Sequence, residues 1–170
     1  MQLAIANIAL KFRKKHPKIK IVYLDANFPF INGFPLPPHL SHNDGKKIDV
    51  SFVYQELSGT ITNKKPSFSG YGVYEIPKYR EYNQSKICID KGYWQYDFVK
   101  FLTLGTINNK LIFSEKVTKD LLLAIVHQKE IGKVFIEPHL KNRLQLPNNK
   151  IRFQGCKAVR HDDHIHFQLK

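Results

Sequence analysis

Apolar and polar residues alternate along the C-terminal segment His164–Leu169 and again along Ile48–Tyr54. Side chains two residues apart on a β-strand point the same way, so this alternation is typical of a strand with one face in the core. The branched and aromatic residues would form the core faces of both strands. The opposite faces would carry Asp49 in the first strand and His164 and His166 in the second. If the two strands belong to one antiparallel sheet, Asp49 and His166 should meet in one cleft.

In the rest of the chain, some segments have apolar residues at helical spacing and others are short apolar runs typical of strands. The predicted helices are Gln2–Lys15, Tyr93–Leu104, Val117–Glu130 and Pro138–Leu144, and the predicted strands are Ile19–Leu24, Leu111–Phe113, Lys133–Ile136 and Ile151–Phe153. We expect the last of these strands to be the hairpin partner of the final strand. Helices and strands without strict β-α-β alternation indicate an α+β fold. The expectation is a single domain over residues 1–170, with a central antiparallel sheet, helices on one face and the functional cleft on the other, uncovered face.

Two irregular segments lie near the predicted strands. Residues 27–38 contain four prolines and a glycine, which predicts a loop that delivers His39 and His42 to the sheet edge. Turn-forming residues at 43–45 would then fold the chain back before the strand that carries Asp49. Residues 55–83 also predict a long loop, and its tyrosines, Tyr71, Tyr74, Tyr79 and Tyr82, either wall a substrate groove or pack on the body. The aromatic residues that begin the helix at Tyr93 are assigned to the core.

Histidines are concentrated in two short motifs. The chain has eight histidines, and five of them lie in His39-x2-His42-x6-Asp49 and in His161-Asp162-Asp163-His164-Ile165-His166. Two imidazoles and one carboxylate are a common protein ligand set for catalytic zinc, with the fourth position left to water. Zinc lowers the pKa of that water from about 15.7 to about 7 and polarises a carbonyl oxygen. The two motifs therefore predict a catalytic zinc site, whereas His127 and His139 are interpreted as ordinary helix residues.

The two motifs resemble those of the zinc peptidases that include lysostaphin-type endopeptidases, D-Ala-D-Ala carboxypeptidases and murein endopeptidases. The closest similarity is to the penicillin-insensitive murein endopeptidases, whose last motif reads much like residues 161–166 and whose first motif has an extra histidine, matched by His39. The resemblance implies His42, Asp49 and His166 as zinc ligands. It also implies that His39 supports the ligands or belongs to a second metal.

The same resemblance implies catalytic roles for His161 and His164, which would flank the attacking water and the developing oxyanion. Either of them could accept the proton. The carboxypeptidase branch uses a glutamate close before its last ligand as the base, and no glutamate lies near His166. This difference favours the endopeptidase branch. The implied activity is hydrolysis of peptide bonds in the stem or cross-link peptides of bacterial peptidoglycan.

The composition of the chain bears on where in the cell the protein is located. No run of about 18 apolar residues is present, which excludes a transmembrane helix in this chain. The first twenty residues place their basic residues after the apolar segment, unlike a signal peptide. Because a murein enzyme is exported, we expect a periplasmic or other cell-envelope location and a chain trimmed of its export signal. Cys88 and Cys156 either form a disulfide or remain two buried thiols.

Two alternative functions remain open. The first is a zinc-binding domain without hydrolytic activity, used for recognition of cell wall or protein. The second is metal-dependent nucleic-acid hydrolysis, suggested by the net charge of +13. The sequence contains no nucleic-acid recognition motif, and magnesium-dependent nucleases favour carboxylate clusters over histidines. We therefore expect no specific nucleic-acid partner, and the sequence does not determine the oligomeric state.

Overall fold

The computed structural model describes residues 2–26 and 45–170. The predicted ligand His42, its neighbour His39 and the loop predicted at residues 27–38 lie outside the described residues. Within the described ranges, no helix is both long and apolar enough to cross a membrane.

Helices and short strands are mixed along the described chain without strict alternation, so the fold is α+β. The helices are α1 (Gln2–Lys15), α2 (Gln84–Asp90), a 3₁₀ helix (Trp94–Leu102), α3 (Glu115–Val126) and α4 (Pro138–Arg143). The strands are β1 (Tyr23–Ala26), β2 (Lys47–Ser51), β3 (Tyr54–Gln55), β4 (Ile61–Thr62), β5 (Ile112–Phe113), β6 (Ile131–Phe135), β7 (Ile151–Arg152) and β8 (His164–Leu169). The sequence pattern predicted most of these elements to within a few residues. It did not predict α2, β3 or β4.

The central sheet has five strands in the order β1-β2-β8-β6-β7. Its first three pairings are antiparallel, but β6 and β7 run parallel. The sheet is therefore mixed, and the prediction of an antiparallel sheet with β7 as the hairpin partner of β8 was wrong. The neighbours of β8 are β2 and β6. The parallel pairing of β6 with β7 needs a crossover connection, and α4 lies in that connection. A second, three-stranded sheet has the order β4-β3-β5.

The hydrophobic core lies between one face of the central sheet and helices α1 and α3. Alternate residues of β2 and β8 supply the sheet side of this core, which includes Val50, Ile165 and Phe167. Helix α1 contributes Ile8 and Phe12, spaced by one helical turn. Helix α3 contributes its predicted apolar stripe, Leu121, Leu122, Ile125 and Val126, all buried.

The segment after β2 leaves the central sheet earlier than the alternation predicted. Strand β2 ends at Ser51, and Tyr54 begins β3 in the second sheet. Its register partner there is Phe113 of β5. The predicted helix at Tyr93 is a 3₁₀ helix, in which Tyr96 is buried but Trp94 is 75% exposed. The assignment of its aromatic residues to the core was thus wrong for Trp94.

Candidate functional site

Asp49 and His166 are direct register partners on β2 and β8. Their side chains lie on the sheet face opposite the core, and Nδ1 of His166 is 2.8 Å from Oδ1 of Asp49. Both side chains are buried, at 0% and 1% exposure. Strand alternation accounts for this meeting: each residue follows an apolar neighbour that points to the core, so each must point away from it. The structure brings these two predicted residues together.

His164 lies on the same face, two residues from His166 along β8, where it pairs with Ser51. Its Nε2 is 3.6 Å from Oδ2 of Asp49, and its Nδ1 is 2.5 Å from Oδ1 of Asp163. Burial lowers the pKa of His164, but the carboxylates of Asp163 and Asp49 outweigh burial and raise that pKa to about 9. Asp163 thus fixes the orientation of this ring, as a carboxylate behind an imidazole commonly does.

A turn in the 55–83 segment covers the site. The hydroxyl of Tyr71 donates a hydrogen bond of 2.9 Å to Oδ2 of Asp49, and the backbone N–H of Gly72 donates one of 2.6 Å to Oδ2 of Asp163. A Cβ at position 72 would lie 2.8 Å from the carbonyl oxygen of Val99, so only glycine allows this close approach. Burial and the Asp49 carboxylate raise the pKa of Tyr71, which therefore remains a neutral donor.

His161 completes a group of three imidazoles. Its ring centroid is 4.9 Å from that of His164 and 5.5 Å from that of His166. Glu137, which precedes α4, anchors the His161 backbone twice: Oε1 accepts from the His161 N–H at 3.1 Å, and the Glu137 N–H donates to the His161 carbonyl at 3.1 Å. Burial raises the pKa of this carboxyl group. The backbone of His161 is therefore held in place by the residue that precedes α4.

Arg160 and Asp162 form a buried ion pair beside the histidines. Arg160 donates from Nε and Nη2 to the two carboxylate oxygens of Asp162, at 2.7 and 2.5 Å. Its guanidinium carbon lies 3.7 Å from the ring centroid of Tyr74. Burial raises the pKa of Asp162 to about 7, although Arg160 acts in the opposite direction. His139, interpreted from sequence as an ordinary residue, is also buried here, and its Nε2 is 4.0 Å from Oδ2 of Asp162.

Sequence reasoning missed three contributors to this site. Asp25 of β1 is the register partner of Asp49, which places a second carboxylate on the same face. The strand predicted at residues 19–24 stopped one residue short of it. Tyr71 was one of four tyrosines in a loop, and nothing in the loop singled it out. Asp163 lies inside the second histidine motif. Its position directly before His164 could have identified it from the sequence as a partner of that imidazole.

The predicted open cleft differs from the structure. Asp49, His161, His164 and His166 are all at most 2% exposed. The alternation of polar and apolar residues showed which side chains share a face, but it gave no information about what covers that face. Tyr71 and Gly72 belong to the covering segment. The four tyrosines of this segment differ in their exposure to solvent. Tyr71 is buried in the site, whereas Tyr79 is 89% exposed.

The described residues supply part of the donor set that zinc requires. Asp49 lies between two imidazoles, and carboxylate oxygens and imidazole nitrogens are donor types that zinc binds. The proposed third ligand, His42, lies outside the described residues. Among residues 2–26 and 45–170, no group of three or more His, Cys, Asp or Glu side chains is arranged to hold a metal ion. The chemistry of the donors fits the metal, and the complete ligand set remains a prediction.

No protein-family model matches this chain, and no curated protein is detectably similar to it.

Proposed function

We propose that this chain is a zinc-dependent peptidase that hydrolyses peptide bonds in the stem or cross-link peptides of peptidoglycan, similar to the penicillin-insensitive murein endopeptidases. One observation carries the proposal. The carboxylate of Asp49 lies between His166 and His164, at 2.8 and 3.6 Å, and it is buried with them. Asp49 of the first motif is thus a neighbour of His164 and His166 of the second motif, although more than a hundred residues separate them in sequence.

His42, Asp49 and His166 would hold the zinc ion, and His39 would support them or bind a second ion. The bound ion would activate water for attack and polarise the scissile carbonyl group. Tyr71 would keep the Asp49 carboxylate in place through its 2.9 Å hydrogen bond. The site is buried, so charges within it are screened less than they would be in water.

His161 and His164 would move the proton. One of them takes a proton from the attacking water and delivers it to the leaving amine nitrogen, and the other stabilises the negative charge on the former carbonyl oxygen. Asp163 holds the His164 ring through Nδ1, so that Nε2 faces Asp49.

The Cys88–Cys156 disulfide supports export to a periplasmic or cell-envelope location. Disulfides persist in oxidising compartments and are rare in the cytosol. The net charge of +13 would also favour contact with the anionic polymers of a cell wall.

The burial of the site favours a second candidate, a zinc-binding domain without hydrolytic activity. A structural metal site is closed, whereas a catalytic site keeps one position open to water. The described side chains of the site are almost fully buried. In this alternative, the fold would serve recognition of cell wall or protein.

The decisive experiment measures zinc and hydrolysis in the same samples. Purified protein is analysed for bound zinc and then incubated with peptidoglycan sacculi, and released muropeptides are separated to detect new amine ends. Asp49→Ala and His166→Ala should lose both zinc and hydrolysis. His164→Ala and His161→Ala should keep zinc and lose about two to four powers of ten in turnover, the usual contribution of a proton-transfer group.

His127→Ala is the matched control, since His127 is exposed and lies on another element, after α3. Its zinc content and activity should equal those of the unsubstituted protein. Full activity in the His164→Ala variant would show that the assigned roles are wrong. Bound zinc without any new amine ends in the unsubstituted protein would favour the recognition domain.

A further inference from the structure

An apolar cleft lies between helix α1, the segment that follows it and the central sheet, on the sheet face opposite Asp49 and His166. Its volume is about 640 Å³. The apolar lining includes Ile5, Ile8, Phe12, Ile48, Val50 and Phe167. We call this space the α1 cleft. Sites for small molecules typically have volumes of about 300–1,000 Å³ and a mostly apolar lining with a few polar groups, so the α1 cleft has the size and character of a binding site.

The charged side chains that line the α1 cleft are all positive, and Tyr23 adds a neutral hydroxyl. Arg13, Lys18 and Lys20 line it and are exposed to solvent, which places them at its mouth. Within the described parts of the chain, none of these three side chains takes part in an ion pair. The nearby carboxylate of Asp120 is already paired with Lys15 and His16, at 2.6 and 2.9 Å. As far as residues 2–26 and 45–170 show, the mouth of the cleft therefore presents positive charge that no carboxylate pairs with.

The two walls of the α1 cleft are fixed by contacts outside it. The end of α1 is attached to α3 through the same pairing of Lys15 and His16 with Asp120. On the other side, Asn63 accepts a hydrogen bond of 2.7 Å from the Lys20 N–H and donates one of 3.2 Å to the Lys18 carbonyl. These contacts attach the segment that follows α1 to the residue after β4. Both walls of the cleft are therefore held by contacts that do not involve a ligand.

We propose that the α1 cleft binds a single-chain anionic amphiphile from solution, with the acyl chain in the apolar cavity and the carboxylate or phosphate headgroup at Arg13, Lys18 and Lys20. The mostly apolar lining disfavours a peptide or sugar, whose polar groups would lose their hydrogen bonds to water. The cationic mouth selects a negative headgroup over a positive one. This site is independent of the proposed peptidase function.

The test is calorimetric titration of the whole chain with the fatty acids octanoate, decanoate and laurate below their micelle-forming concentrations. Burial of each added methylene group should strengthen binding about fourfold until the cavity is filled. Dodecyltrimethylammonium, which has the same chain length as laurate but a positive headgroup, should bind at least tenfold more weakly. Inorganic phosphate alone should not compete, because the charges without the acyl chain give only weak binding.

Two pairs of variants locate the site. Ala9→Trp fills the α1 cleft, which Ala9 lines, and should reduce laurate affinity at least tenfold. Ala6→Trp places the same ring on the exposed face of α1 and should leave the affinity within twofold. Replacement of Arg13, Lys18 and Lys20 by glutamine should also weaken binding at least tenfold. Lys11→Gln with Lys14→Gln, on exposed positions of α1, should not.

Equal loss in the Ala6→Trp and Ala9→Trp variants would overturn the proposal, as would equal affinity for the cationic amphiphile. Binding only to vesicles of phosphatidylglycerol, with no binding of free laurate, would also overturn it and would indicate a membrane-binding surface. The chain-length series uses the unsubstituted protein. The proposal therefore stays testable even if the Ala9→Trp variant does not fold.

Discussion

Tyr71 supplies the hydrogen bond that holds a buried carboxylate in the candidate site. We predict that Tyr71→Phe lowers the free energy of unfolding by about 2 kcal/mol, since the Asp49 carboxylate loses a donor and remains buried. Urea unfolding of the zinc-free protein measures the loss. Tyr74→Phe is the matched control: the hydroxyl of Tyr74 makes only a 3.5 Å contact with the Asp97 carbonyl, and its ring stays over Arg160. Equal losses in both variants would contradict the role given to Tyr71.

At the residue scale, the sequence identified side chains whose position follows from strand alternation. Asp49, His164 and His166 could be placed on one face because each alternates with a core residue on a regular strand. Tyr71 could not, because its contact with Asp49 depends on the path of an irregular segment across 22 residues of sequence. Backbone periodicity does not determine such a path.

At the element scale, the most regular segments were predicted best. Helices α1 and α3 have apolar residues at helical spacing and polar residues elsewhere, and both were found where the pattern placed them. The parallel pairing of β6 with β7 was not predicted, since two-residue strands carry too little pattern to define a partner. The 3₁₀ helix was assigned to the core from its aromatic content alone.

Helix α4 contacts the covering segment through His139 and Arg143, and the Arg143 contacts give an element-scale prediction. Arg143 donates to Glu75 at 2.5 Å and to the two oxygens of Glu81 at 2.8 and 2.5 Å. We predict that Arg143→Met, which keeps the aliphatic stem, lowers the free energy of unfolding at pH 7 by about 1–2 kcal/mol, because the carboxylates are partly solvated. Chemical unfolding at several pH values measures it.

The effect of Arg143→Met should depend on pH with a defined sign. Hydrogen bonding to Arg143 lowers the pKa of Glu81 to about 2, below its unfolded value of about 4.3. The stabilisation is therefore present above about pH 4.3 and is lost as the pH falls towards 2. The difference between the two proteins should shrink over that range. Lys86→Met, which removes an exposed pair with Asp90, should cost at most about 0.5 kcal/mol. A difference that stays constant from pH 7 to pH 2.5 would exclude this linkage.

At the scale of the whole molecule, the covered side of the central sheet is assembled from distant segments. The site draws on β1, β2 and β8, on the turn at Tyr71 and on the residue before α4. The opposite face carries the hydrophobic core and the α1 cleft. The two proposed sites thus lie on opposite faces of one sheet, so substitutions at one can be made without direct contact with the other.

One covalent bond joins helix α2 to the segment that leads into β8. Cys88 and Cys156 are 68 residues apart in sequence, so their disulfide closes a long loop and restricts the unfolded chain. We predict that Cys88→Ala with Cys156→Ala lowers the free energy of unfolding by about 4 kcal/mol. For a chain of this size, the melting temperature should then fall by about 10 °C. Thermal unfolding followed by circular dichroism measures this change.

A reducing agent should lower the melting temperature of the unsubstituted protein by a similar amount and leave that of the double alanine variant unchanged, because only the former has a bond to reduce. Protein prepared in an oxidising compartment should therefore be more stable than protein prepared under reducing conditions, as export would require. Detection of two titratable thiols in protein from an oxidising compartment would contradict the proposed disulfide and its support for a cell-envelope location. A melting temperature that does not respond to the reducing agent would contradict them as well.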